Sequence, residues 1–161
     1  MKKISVIAVI AAAFLVVPAF AAKEKDPSKD KGLSKAERLA VFQKEHRAEF
    51  DKKKNFIQSQ HDKKMGELKA RLAASPKLTA DQKAALTSQL DKQFEENMAF
   101  RQAEFEKTQN YVRQIATDPG LTPEARRAAL EKYRQDQIAE VQERFKNQRA
   151  RNQDILNSLK S

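Results

Sequence analysis

The 161-residue chain contains no cysteine and no tryptophan, and it contains only three glycines. Without cysteine it can form no disulfide, carry out no thiol redox chemistry and build no thiolate metal site. The glycines at 32, 66 and 120 lie far apart in the sequence, so they cannot form a loop that cradles phosphate. The sequence has no HExxH pattern, and nothing marks a serine–histidine–aspartate arrangement. We therefore predict that the protein is not an enzyme and uses no cofactor.

The first 21 residues have the features of a secretory signal peptide. Two lysines precede an apolar run over Ile4–Val17, and Pro18 stands before Ala19-Phe20-Ala21. Small residues at the first and third positions of that triplet suit signal peptidase, so we predict cleavage after Ala21. An uncleaved anchor is the alternative, but the run is shorter than the about 20 apolar residues that span a bilayer. We expect the protein in the periplasm, with secretion as the alternative.

The remaining chain is predicted to be a short linker followed by three long helices. The charged linker, residues 22–33, has nothing to bury and is predicted to be disordered. Apolar residues at spacings of three and four then predict helices over about 35–73, 80–116 and 123–159. Because the links between them are only a few residues long, neighbouring helices should run antiparallel. The predicted fold is all-α: three long helices, up-down-up, as a slender bundle or an open cradle, possibly dimeric.

Each predicted helix begins with a similar short sequence motif. Ser34 with Glu37, and Thr79 with Gln82, have the spacing of a capping box, in which each side chain accepts the other residue's backbone N–H. Thr122 stands before a proline that suits the first position of a helix. These motifs predict where the helices start.

Polar residues interrupt the apolar stripes near the middle of the predicted helices. They are Lys53, Asn97, Arg101, Gln137 and Gln148. A dry core would leave such groups unsatisfied at about 1–3 kcal/mol each. We therefore expect a thin, partly wet middle.

Several apolar side chains lie off the stripes, next to charged residues, which is typical of a binding surface. The candidates for binding another protein are Phe56, Met98, Phe100, Arg101, Tyr111 and Lys53. The alternative is that these residues pack the third helix or a dimer partner.

A metal site is the weaker hypothesis. His46 has Glu49 one helical turn away, but three or four ligands are needed to complete a site. His61 would lie roughly 22 Å from His46 along one helix, so the two histidines cannot share an ion. We predict no bound metal, with His46 and Glu49 as the only weak candidates.

The chain is basic, with a formal net charge of +10. An exported protein rarely meets nucleic acid, so we predict no nucleic-acid partner. A positive surface favours acidic stretches of unfolded polypeptide or an anionic envelope surface. The alternative is that the charge serves solubility alone.

The segment Leu78-Thr79-Ala80-Asp81-Gln82 resembles the LTxxQ motif of the Spy/CpxP family of periplasmic stress proteins. Partial copies of the motif occur at residues 33–37 and 121–125. The resemblance implies a dimeric helical cradle whose basic and apolar face holds unfolded clients without ATP. The predicted function is accordingly a chaperone-like, ATP-independent, non-enzymatic protein that binds unfolded or envelope proteins. The alternatives are a helical rod that docks one envelope partner and a metal-responsive protein.

Overall fold

The computed structural model describes residues 32–158, which form three helices: α1 (Lys35–Ala73), α2 (Ala80–Thr117) and α3 (Pro123–Ser158). The predicted all-α fold is confirmed. The predicted end of the third helix, near residue 159, lies outside the described residues. The predicted signal peptide and residues 22–31 of the predicted linker lie outside the described residues. None of the described helices offers an apolar stretch that would cross a membrane.

The predicted capping motifs are found at the N-termini of the helices. The Ser34 hydroxyl accepts the Glu37 backbone N–H at 3.3 Å, and the Glu37 carboxylate accepts the Ser34 N–H at 2.7 Å. Thr79 and Gln82 make the same pair of bonds, at 3.2 and 2.9 Å. Thr122 accepts the backbone N–H three residues further on at 3.2 Å. Hydrogen bonds from the Ser34 side chain, and secondly from its backbone, lower the pKa of Glu37.

Helices α1 and α2 pack against each other as an antiparallel hairpin. The rings of Phe50 and Phe105 stack with centroids 4.3 Å apart, and those of His61 and Phe94 stack at 3.7 Å. Because the earlier residue of α1 meets the later residue of α2, the two helices run in opposite directions. The connection between them, residues 74–79, is short, and such short links join antiparallel neighbours.

The core of the described chain is small and unevenly placed. Its buried residues are Met65, Leu68, Leu72, Leu86, Phe94, Phe105 and Thr108. In α1 the buried residues all lie between Met65 and Leu72, and no residue from Lys35 to Lys64 is buried. The last quarter of α1, next to the turn, is therefore firmly packed, and the longer part before Met65 is packed only in part.

The described chain separates into two compact units, residues 32–126 and residues 127–158. In the second unit no described side chain is buried, and the aliphatic side chains of Leu130 and Ile138 are exposed. The up-down-up order of all three helices, the choice between bundle and cradle, and the homodimer stay predictions.

Candidate functional site

The aromatic side chain of Phe56 is exposed to solvent. Its exposed fraction is 62%, whereas every other phenylalanine and tyrosine in residues 32–158 is half-buried or buried. Burying such a side chain is worth about 1.5–3 kcal/mol. The hairpin does not gain this stabilisation at position 56. The packing of the described chain therefore does not explain why a phenylalanine is present there.

Three lysines share the flank of α1 that carries Phe56. Lys53 and Lys52 lie one helical turn before Phe56, Lys63 lies two turns after it, and all three are exposed. Within residues 32–158 none of these lysines takes part in an ion pair. Phe56 and these three lysines are called the Phe56 patch below. A phenyl ring in solvent with unpaired ammonium groups around it can contact both apolar and acidic groups of a partner.

The other predicted binding residues lie on α2 and are half-buried, namely Met98, Phe100, Arg101 and Tyr111. Phe100 and Tyr111 are eleven residues apart and share one side of the helix, whereas Met98 lies roughly 160° around the axis from Phe100. Phe100, Arg101 and Tyr111 each already have an interaction partner. Burial lowers the pKa of the Arg101 guanidinium by removing it from water. The predicted set thus divides into two exposed residues of α1, Phe56 and Lys53, and four half-buried residues of α2.

The weak metal candidates lie near the start of α1. The His46 ring packs beside Phe42, with centroids 4.0 Å apart and the planes tilted by 35°, while Glu49 is exposed. Residues 32–158 contain no group of three or more histidine, aspartate or glutamate side chains placed to hold an ion. In the structure His46 is a packing residue.

Sequence analysis missed the environment of His61. Its side chain is only 10% exposed; Nε2 lies 3.6 Å from Asp91 Oδ1, and Nδ1 lies 3.5 Å from Asp62 Oδ1. Both distances exceed those of a good hydrogen bond, so the stacking on Phe94 is the firmer contact. The turn centred near residue 76 places residue 61 opposite residue 91 or 92. The register of the hairpin could therefore have indicated this contact from the sequence. The contacts of His61 with Asp91 and Phe94 join α1 to α2.

An open groove of about 830 Å³ lies between the end of α1 and the beginning of α2. Its apolar lining residues are Leu72, Ala73 and Ala84, and its charged lining residues are three lysines and the carboxylates of Asp91 and Glu95. The charges of this groove are mixed, so they favour no particular class of partner. The Phe56 patch has the clearer chemistry.

The chain matches no protein-family model, and comparisons with characterised proteins and with solved structures return no significant similarity. The resemblance to the Spy/CpxP family therefore stays a prediction, based on residues 78–82, their partial copies, the predicted export signal, the helical chain and the absence of cysteine. Within that segment, Thr79 and Gln82 make the capping box of α2. Capping explains these two residues without reference to function, so the Phe56 patch is the stronger functional feature.

Proposed function

We propose that this protein binds unfolded or envelope proteins without ATP, in a chaperone-like and non-enzymatic way. The exposure of Phe56 among unpaired lysines is the observation that carries the proposal. The phenyl ring offers contact area to apolar segments that a folded client would hide. The lysines keep the surface soluble and attract oppositely charged chains over distance.

The packing of α1 supports the same function. The Phe56 patch lies wholly in the part of α1 that has no buried residue. A helix held by few buried contacts opens locally at low cost in free energy, so its surface can adjust to dissimilar partners. A binder of unfolded chains needs this tolerance, because its clients share composition and not shape.

The proposed compartment is the periplasm, or the outside of the cell, on the sequence of residues 1–21 alone. A second copy of the chain as a homodimer, and an anionic envelope surface as a further partner, belong to the same proposal. Nucleic acid is not among the proposed partners.

The second candidate function is a rod that docks one envelope partner. Its support is the length of the helices: α1 has 39 residues and no break, which corresponds to roughly 58 Å. Cross-linking in the native envelope followed by purification separates the candidates. One dominant partner favours the rod, and many partners favour the chaperone-like protein.

The test of the proposed function is suppression of aggregation. The purified chain, in several-fold molar excess, should reduce light scattering when a chemically denatured client is diluted into buffer. Phe56→Ser should lose most of this effect, because it removes the exposed ring from the surface. Circular dichroism should show unchanged helix content, since Phe56 is outside the core.

Leu130→Ser is the matched control, because it also removes an exposed apolar side chain, but from α3. It should keep the activity of the unmodified chain. The proposal fails if the unmodified chain does not suppress aggregation. It also fails if both serine variants behave alike.

A further inference from the structure

We infer that the Phe56 patch selects polypeptide segments in which a large apolar side chain is flanked by acidic residues. This inference rests on the proposed function and specifies its client. The patch combines one apolar contact with three positive charges on the same flank of α1. The complementary segment is apolar at its centre and negative on both sides.

The charges around Phe56 are available for such a partner. Lys52, Lys53 and Lys63 make no ion pair within residues 32–158. Glu49, the carboxylate within two turns on this flank, lies four residues before Lys53 but not within ion-pair distance of it. Three ammonium groups against one carboxylate leave the flank positive. Charge-assisted hydrogen bonds to incoming carboxylates are stronger than neutral ones.

Helix geometry sets the spacing of the segment. Along the axis of α1, Lys53 and Lys52 lie roughly 4.5–6 Å before Phe56, and Lys63 lies roughly 10.5 Å after it. An extended chain advances about 3.3 Å per residue. A matching segment therefore carries one acidic residue one or two positions from its apolar residue. The second acidic residue lies about three positions away on the other side.

A polypeptide fits this patch better than an anionic lipid surface. Helices that lie on membranes present a continuous apolar face, which inserts among the acyl chains. The patch has a single exposed ring, and no other large apolar side chain of α1 or α2 is exposed. One ring with charges at fixed distances from it is suited to binding a short polypeptide segment.

The experiment measures binding of fluorescein-labelled peptides to the full chain by anisotropy at low salt. The first peptide has a central phenylalanine with acidic residues at the stated spacing. The second has lysines in place of the acidic residues, and the third has serine in place of the phenylalanine. We expect the first peptide to bind about tenfold more tightly than the second, the factor that a few exposed ion pairs supply together. We expect at least about the same factor over the third peptide, which lacks the aromatic ring that is buried on binding.

Charge reversal tests which residues set the preference. The triple variant Lys52→Glu, Lys53→Glu, Lys63→Glu should reverse it, so that the lysine-containing peptide binds more tightly. The control triple variant Lys44→Glu, Lys69→Glu, Lys77→Glu changes the net charge equally. Its three positions are exposed. Lys44 and Lys69 lie roughly 18–20 Å from Phe56 along α1, and Lys77 lies beyond the end of that helix, so the variant should keep the original preference.

The outcomes separate this inference from the proposed function. Equal binding of the acidic and basic peptides, with aggregation still suppressed, overturns the inference and leaves the proposed function standing. Binding of phosphatidylglycerol vesicles through Lys52, Lys53 and Lys63, without binding of any peptide, assigns the patch to lipid and also overturns it. If the chain neither suppresses aggregation nor binds a peptide, the proposed function fails as well.

Discussion

Replacing Phe94 with alanine is expected to lower the free energy of unfolding by about 3–5 kcal/mol, the usual cost of removing a buried phenylalanine side chain. Phe94 is 5% exposed and stacks on the His61 ring at 3.7 Å. The truncation would therefore remove a large apolar group and leave the imidazole without its stacking partner. Because small domains are stable by only about 5–15 kcal/mol, the loss is a large part of the total.

The matched control is Phe56→Ala, the same substitution at a position that is 62% exposed. It should change the free energy of unfolding by less than about 1 kcal/mol, since little buried area is lost. Urea denaturation followed by circular dichroism measures both variants. Equal destabilisation by the two substitutions would show that Phe56 contributes to a core, which contradicts its assignment as a binding residue.

The second large effect is expected in amide hydrogen exchange along α1. Backbone amides of residues 65–73 should exchange at least about tenfold more slowly than those of residues 38–60, because exchange reports the free energy of local opening. The physical reason is the position of the core: Met65, Leu68 and Leu72 are buried, and nothing before Met65 is. Phe50 still stacks on Phe105. Residues 38–60 therefore open locally, while this contact keeps the helix attached to α2.

Exchange followed by mass spectrometry, with peptides that cover α1, makes this measurement. The comparison stays within one helix, so intrinsic helix propensity contributes little to the difference. Uniform protection from residue 38 to residue 73 would mean that unburied contacts hold the whole helix equally. The adaptable surface that the proposed function needs would then be missing.

Much of the fold was predictable because its determinants are local. Capping boxes at Ser34 and Thr79 mark helix starts by chemistry that acts within four residues. The apolar residues of the predicted helices include Phe50, Phe94 and Phe105, which the structure has in contact or buried. These features need no information about the neighbouring helix.

The candidate site was predictable only in part, because burial depends on what lies opposite. Phe56 and Phe100 are both off the main apolar stripes, yet Phe56 is exposed and Phe100 is half-buried with an interaction partner. A helical wheel assigns an angle to each residue but does not say what covers it. The spacing of Glu49 and Lys53 likewise suits an ion pair on a helix, and the structure has none there.

The contact between His61 and Asp91 was missed for a different reason. It joins residues 30 positions apart, so it depends on the register of the hairpin. That register follows from the turn near residue 76, but only if both helices run unbroken to it. Once the unbroken helices are known, the pairing of residue 61 with residues near 92 follows directly.

Site-specific photocross-linking measures directly whether Phe56 contacts unfolded chains. A photoreactive phenylalanine analogue is placed at position 56 and, in a control, at the exposed position 92 of the same hairpin. Each protein is irradiated with a denatured client and with the same client folded. If Phe56 contacts unfolded chains, position 56 should cross-link to the denatured client well above position 92 and above the folded client. Equal cross-linking from the two positions, or none from position 56 while aggregation is suppressed, would contradict the account.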